Sequence, residues 1–213
     1  MIDDEPSARA WLASLPEYDA TAHMRMAQLI ELLVAENARQ NLVAASSLEH
    51  VWQRHIADSA QLLHHVPRET NATWLDLGTG AGFPGLVIAI LRPEIEMLMV
   101  ESRPKRAAWL EHANLALGLT QAQVIASRLE LVDTRPMSVI SARAFAPLDR
   151  LLKLSARFST DQTVWLLPKG RSAAHELNEL TGWRHAFHVE QSLTDHEAGL
   201  IVGRLSGKAG QSR

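Results

Sequence analysis

Three glycines at alternate positions, Gly78, Gly80 and Gly82, lie in the segment Asp76-Leu77-Gly78-Thr79-Gly80-Ala81-Gly82-Phe83-Pro84-Gly85. Without side chains, backbone amides and the start of a following helix can approach a polar ligand closely. The chemistry this favours is the binding of a nucleotide-like cofactor. A dinucleotide fingerprint G-x-G-x-x-G counted from Gly78 requires glycine at position 83, and the sequence has Phe83. The spacing G-x-G-x-G suits a cofactor that has no pyrophosphate, with a tight structural turn as the plain alternative. Glu101 follows a second apolar run, Ile95 to Val100, at a place where an acidic side chain can accept hydrogen bonds from both ribose hydroxyls of an adenosine. NAD would need the same contact, so Glu101 does not choose between cofactors.

Other polar residues fall at positions where chemistry and structure compete. Arg143 and Lys169 each follow an expected strand, which puts them at the ligand-binding edge of a sheet, for phosphate contact or for surface salt bridges. His55 and Asp58 are three apart on an expected helix and can share one face. They form either an element near the pocket or a helix cap and a hydrogen-bonded histidine that join helices to sheet. The ten histidines include the adjacent His64-His65 but no H-E-x-x-H pattern, and no metal site is expected. With no cysteine in the chain, disulfides, thiolate catalysis and cysteine-ligated metals are excluded.

The elements that must hold these residues read in two styles. Up to residue 70 the chain is expected to be helical with short breaks. Met26, Leu29, Ile30, Leu33 and Val34 make an apolar stripe on a helix running from Thr21 to near Asn37. Ser46 with Glu49 has the pattern of a capping box opening a helix through Trp52 and Ile56, and Asp58 or Ser59 caps another that ends before Pro67. From residue 71 strands and helices alternate. Strands are expected at Trp74 to Leu77, Ile95 to Val100, Gln123 to Ala126, Val139-Ile140, Thr163 to Leu167 and Leu200 to Leu205. Helices are expected at Gly85 to Leu91, Pro104 to Leu117, Leu148 to Phe158 and Arg171 to Leu180. Such alternation predicts an α/β fold, a mainly parallel sheet with helices on both faces. The division is then a helical extension over 1–70, an α/β domain over 71–206 and a disordered tail over 207–213.

Charge divides along the same boundary. Residues 1–70 carry five Lys/Arg against ten Asp/Glu, and residues 71–213 carry sixteen against fourteen, within a net charge of −3. A nucleic-acid surface is therefore expected on the second part, and the acidic helices are expected to cover apolar sheet surface. The acidic start Met1-Ile2-Asp3-Asp4-Glu5 and the short apolar stretch Leu86 to Leu91 predict neither export nor membrane insertion, hence a cytoplasmic protein. The oligomeric state has no signature in the sequence.

Asn41-Leu42, His55-Ile56-Ala57-Asp58-Ser59, Asp76 to Gly85, Glu101-Ser102, Ser127-Arg128-Leu129-Glu130 and Arg143-Ala144-Phe145-Ala146, in this order and spacing, resemble the glucose-inhibited division protein B family, the small-subunit ribosomal RNA methyltransferases G. The resemblance runs from about Asn41 to the C-terminus. It implies a class I methyltransferase (Rossmann-like) fold and transfer of a methyl group from S-adenosylmethionine to N7 of a guanosine in the 530 loop of 16S rRNA, on naked rRNA or on the small ribosomal subunit. It also implies that Gly78 and the turn to Phe83 contact the cofactor, with Phe83 an apolar wall, that Leu129 and Glu130 lie near the adenine, and that Arg143 reaches the cofactor or the target. With Asp76, Gly80, Gly82 and Glu101 these complete the expected cofactor set, and Arg143, Lys169 and His55 form the expected RNA set. Ala81 stands where the family often has proline, and Leu129 where valine is common; neither removes a polar contact. Guanine N7 has no proton to lose, so no general base is expected. The alternatives are a class I methyltransferase with another acceptor, an NAD-linked oxidoreductase, which Phe83 disfavours, and a non-catalytic ribosome-assembly factor.

Overall fold

A computed structural model describes residues 1–68 and 73–210. Five parallel strands form the centre of the sheet: β1 (Thr73–Leu77), β2 (Glu96–Val100), β3 (Ala122–Ile125), β4 (Val139–Ala142) and β5 (Val164–Gly170). Two antiparallel strands, β7 (His188–Gln191) and β8 (Gly199–Gly203), extend it in the order β3-β2-β1-β4-β5-β8-β7. A separate two-stranded ribbon pairs β6 (Trp183–His185) with β9 (Leu205–Lys208).

β1 pairs with β2 on one side and β4 on the other, so the chain reverses its direction of travel across the sheet between β1 and β4. Open α/β sheets place their ligands at the carboxyl ends of the strands beside such a reversal. The glycine turn after β1 opens there.

Alternation along the strands gives each face of the sheet its own core. Trp74, Met97, Met99, Val139, Leu166 and Val202 face one way. Leu75, Leu98, Val100, Ile140, Trp165 and Ile201 face the other, against α7 (Leu148–Ser155). On the first face lie α5 (Gly85–Leu91) and α6 (Pro104–Ala116). Every residue of α5 is buried, and a helix that is apolar all round needs cover on its outer side as well.

The N-terminal helices give that cover. Helix α1 (Glu5–Ala13), absent from the sequence-based expectations as a distinct element, opens with a capping box formed by Asp4 and Ser7. Helix α2 (Ala20–Asn37) buries the expected Met26, Leu29 and Leu33, while Val34 is half exposed. Both join the core that contains α5 and the sheet. The expected capping box at Ser46 does not form: α3 (Ala45–Leu48) has Ala44 at its cap position with no side-chain cap, and the Ser47 hydroxyl donates to the Ala44 carbonyl at 2.7 Å and accepts from a histidine. The chain then enters a π-helix, Trp52–Ala57, continues through α4 (Asp58–Ala60) and ends the extension in a 3₁₀ segment, Gln61–His65.

The expected boundary near residue 70 lies outside the described residues. The C-terminal half departs from expectation in four places. The strand expected over 200–205 is split between β8 and β9, in different sheets, because the chain turns out of the main sheet at Gly203 (φ 147) and Arg204. The strands β6 and β7 were not anticipated: they carry Trp183, Arg184, His188 and Glu190, mostly polar residues with little alternation. Gly207 and Lys208, expected in a disordered tail, belong to β9, which pairs with β6, and the Ala209 N–H donates to the Gly182 carbonyl. Residues 211–213 lie outside the described residues. Helix α8 (Ala173–Asn178) is shorter than the span 171–180.

Candidate active site

The turn after β1 is built so that its amides are used inside the protein. Gly78 N–H and Thr79 N–H donate to the Val100 carbonyl, Gly82 N–H and Phe83 N–H to the Thr79 carbonyl, and Gly80 N–H to the Glu101 carboxylate at 3.1 Å. These donors are not left as an open nest for a diphosphate, so the geometry fits an adenosine cofactor without one. Gly78 (φ 65) cannot readily be replaced: a Cβ there would lie 2.6 Å from Cδ2 of Phe145.

Glu101 sits across the turn, almost fully buried, and its second oxygen accepts the Arg103 N–H at 2.8 Å. Two backbone donors thus fix the carboxylate at the carboxyl end of β2, where ribose hydroxyls can reach it. Beside it lies a cavity of about 230 Å³ lined by Gly78, Ser102, Leu129, Glu130 and Phe145. Leu129 is buried and Glu130 exposed on a short 3₁₀ turn, Leu129–Leu131.

Asp76 does not belong to that lining. It is fully buried; one oxygen accepts the Ser141 hydroxyl at 2.6 Å and the other the Gly85 N–H at 3.0 Å, while Ser141 Oγ accepts the Trp74 indole N–H at 2.8 Å. Burial pushes its pKa up to about 6 despite these donors. Asp76 is a positioning residue that ties β1 to β4 and to the start of α5.

A larger cleft of about 850 Å³ opens on the β4, β5 and β8 side, and Phe145 and Ala146 line it as well as the smaller cavity. Its floor includes Arg143, whose guanidinium donates to Asp58 Oδ2 at 3.2 Å, the Arg54 carbonyl at 3.4 Å and His55 Nδ1 at 3.4 Å. Asp58 also accepts from the Thr194 hydroxyl and the Gln61 amide, both at 2.9 Å. It acts as a junction between extension and sheet, not as a helix cap. The π-helix delivers His55 to the same place, a use of widened helical turns that recurs at functional sites.

His55 stacks on Phe83, with ring centroids 4.9 Å apart and planes at 17°. Burial first, then the charges of Arg143 and Arg54, hold its pKa down to about 3. The ring is therefore neutral near pH 7. Because Nδ1 accepts from Arg143, the proton sits on Nε2, which donates to Ser47 Oγ at 2.8 Å. Phe83 is almost fully buried between this histidine and the Arg143 guanidinium, 5.3 Å from the ring centre. Its ring thus packs the end of the glycine turn against the side chains that line the large cleft.

Lys169 lines the same cleft. Its side chain is 8% exposed, and Nζ donates to the Ala146 carbonyl at 2.6 Å and pairs with Glu176 at 2.9 Å. Glu176 in turn accepts the Leu148 N–H at 2.7 Å. The ammonium is consumed in holding the corner between Arg143 and α7 and is not free for a phosphate. Ala144, at φ 53, carries backbone strain in that corner.

The structure thus brings together His55, Phe83 and Arg143 on one side and Gly78, Glu101, Leu129 and Glu130 on the other. The sequence-based reading missed Phe145 as the shared wall and missed Arg54, Thr194 and Asp195 along the cleft. For Phe145 a signal existed, its place in Arg143-Ala144-Phe145-Ala146 directly after β4; the loop holding Asp195 carries no motif. The acidic extension does cover sheet surface as expected, and it also lines the cleft through Ser47, Arg54, His55 and Asp58.

Among the described residues no helix is long and apolar enough to cross a membrane, and no three His, Asp or Glu side chains gather as a metal site. The family model described as rRNA small subunit methyltransferase G matches residues 22–197. Curated relatives named "Ribosomal RNA small subunit methyltransferase G" include one from Erythrobacter litoralis, 58% identical over 98% of this chain and 100% of its own, and one from Novosphingobium aromaticivorans, 57% identical over 94% and 88%. Solved structures with a similar fold include an MtNAS variant in complex with S-adenosylmethionine (TM-score 0.60, 17% identity, 96% of this chain and 84% of that one). Another is a SAM dependent methyltransferase from Aquifex aeolicus (TM-score 0.55, 14% identity, 70% and 89%). At these identities the structural likeness shows a class I methyltransferase fold.

Proposed function

The chain belongs to the rRNA small subunit methyltransferase G family, and from that premise we propose that it methylates N7 of a guanosine in the 530 loop of 16S rRNA, with S-adenosylmethionine as the methyl donor. The observation that carries this reading is the pair of cavities sharing Phe145 and Ala146, one beside Glu101 and the glycine turn, the other large enough for a base. A donor in the first and an acceptor in the second meet at that shared wall.

When bound, the cofactor supplies a methyl group already activated on a sulfonium. The N7 lone pair forms the new C–N bond as the S–C bond breaks, and no proton has to leave. The protein's task is then orientation in a site sheltered from water, which can be worth about 7–11 kcal/mol. Glu101 would hold the ribose, the turn from Gly78 to Phe83 would set its backbone against the cofactor, and Leu129 and Glu130 would border the adenine. Arg143, fixed by Asp58 and His55, would present the N–H groups of its guanidinium to the acceptor cleft. His55 is neutral and engaged through both ring nitrogens, which agrees with a reaction that needs no general base. Arg54 is exposed at the mouth of the cleft and has no ion-pair partner among the described residues, so it suits an RNA phosphate.

The test is to incubate the protein with small subunits lacking modifications and with radiolabelled S-adenosylmethionine, then map the labelled nucleotide. Label at N7 of one guanosine is expected. Cofactor binding without label on rRNA would overturn the assignment of the acceptor.

A further inference from the structure

The charged side chains lining the large cleft are Arg54, Asp58, Arg143, Lys169, Glu176 and Asp195. Four of them neutralise one another, Arg143 with Asp58 and Lys169 with Glu176. Arg54 and Asp195 remain. Asp195 is exposed on the loop between β7 and β8; one carboxylate oxygen accepts the Glu197 N–H at 2.9 Å, and the carboxylate has no ion-pair partner among the described residues. A single unneutralised carboxylate in a cleft that must admit a polyanion is costly unless it binds donors.

Guanine offers such donors. Its N1–H and amino group lie on the Watson–Crick edge, opposite N7, so a base that turns N7 toward the methyl group presents these donors to the far side. The order of the sheet puts the loop there: from β1, which carries the cofactor turn, the strands run β4, β5, β8. Three strand spacings amount to about 14 Å. A purine with a transfer contact of about 3–3.5 Å at one edge and a hydrogen bond of about 2.9 Å at the other reaches most of the way across that interval, and the Asp195 side chain extends into the remainder. The loop is also held in place. Thr194 Oγ1 donates to Asp58 at 2.9 Å, the Thr194 carbonyl accepts from Gln53 at 3.2 Å, and the Ile2 N–H donates to the Leu193 carbonyl at 2.7 Å. The N-terminal extension thereby fixes Asp195 relative to Arg143.

Resting on the methyltransfer reading above, we infer that Asp195 is the specificity-determining residue of the acceptor cleft, accepting hydrogen bonds from N1–H and the 2-amino group of the target guanine. Adenine, with an acceptor at N1 and no 2-amino group, would leave the carboxylate unpaired.

The experiment compares wild type, Asp195→Asn and Asp195→Ala on small subunits assembled with guanosine or with inosine, which lacks the 2-amino group, at the labelled position. For wild type, inosine should lower kcat/KM by about tenfold, the usual loss when a charged acceptor forfeits one donor. For both variants kcat/KM on guanosine should fall by about 10–100-fold and the preference for guanosine over inosine should shrink to within about twofold. Cofactor affinity, measured separately, should stay at the wild-type value and shows that the variants are folded. An unchanged guanosine preference in the variants, or wild-type rates on guanosine, would overturn the inference. Absence of label in wild type on guanosine subunits would instead overturn the reading on which it rests.

Discussion

Glu101 is held by two backbone N–H groups before any cofactor arrives, so its contribution to binding carries little cost of ordering. Replacing it by glutamine keeps the shape and removes the charge. The expected outcome is a 10–100-fold rise in the Kd for S-adenosylmethionine by calorimetry, the range for a charge-assisted hydrogen bond of about 1.5–3 kcal/mol. His55 makes a prediction in pH. Its pKa is depressed to about 3 in the folded protein against 6.5 in the unfolded chain, so the unfolded state binds more protons between those values. Stability is then fully present above pH 6.5 and is lost as pH falls toward 3, by about 2 kcal/mol at pH 5 for this group. Urea denaturation of wild type and His55→Gln at pH 7.5 and pH 5 should show that much less acid sensitivity in the variant. Equal pH slopes would mean that His55 is not held neutral by its surroundings. The identity of both residues was readable from the chain; the stack on Phe83 and the proton on Nε2 were not, because they depend on partners 28 and 8 positions away.

Between single residues and the fold stands the corner from Arg143 to Leu148, anchored at one end by Asp58 and at the other by the Lys169–Glu176 pair. It carries Phe145, the wall shared by the two cavities. Lys169→Met should therefore let the corner drift, and a displacement near 1 Å is enough to cost about 100-fold in rate. Single-turnover measurements are expected to show the loss in the methyl-transfer step, with cofactor affinity changed less than turnover. A phosphate-binding lysine would behave otherwise, raising KM for the subunit and reducing its dependence on salt. The extension supplies the other wall through its π-helix. Periodicity showed a helix at residues 48–56, yet a one-residue widening leaves no mark in an apolar pattern. The capping box expected at Ser46 fails because the helix already begins at Ala45, with Ala44 at the cap position.

Across the molecule, a single core runs from Leu12 and Leu33 through α5 to Trp74 and Val139 in the sheet. Extension and sheet should unfold in one cooperative transition, seen alike by circular dichroism and tryptophan fluorescence. Leu33→Ala should lower the stability of the whole by about 2–5 kcal/mol, and two separate transitions would show that the extension is an independent unit. Deleting residues 1–60 would expose the outer side of α5, and the remainder is expected to aggregate. The amino-acid sequence by itself determined the alternating α/β plan, the glycine turn after β1, the carboxylate after β2 and the family. Each of these is local: a period, a turn composition or a motif records it within a few residues. Only the tertiary structure decided that Asp76 and Lys169 have hydrogen-bond and ion-pair partners within the protein, that Phe83 stacks on His55, and that the loop holding Asp195 faces the cleft. The physical reason is that a side chain's role depends on which donors and acceptors surround it, and those come from other elements: β4 for Asp76, α8 for Lys169, and the loop between β7 and β8 for Asp58.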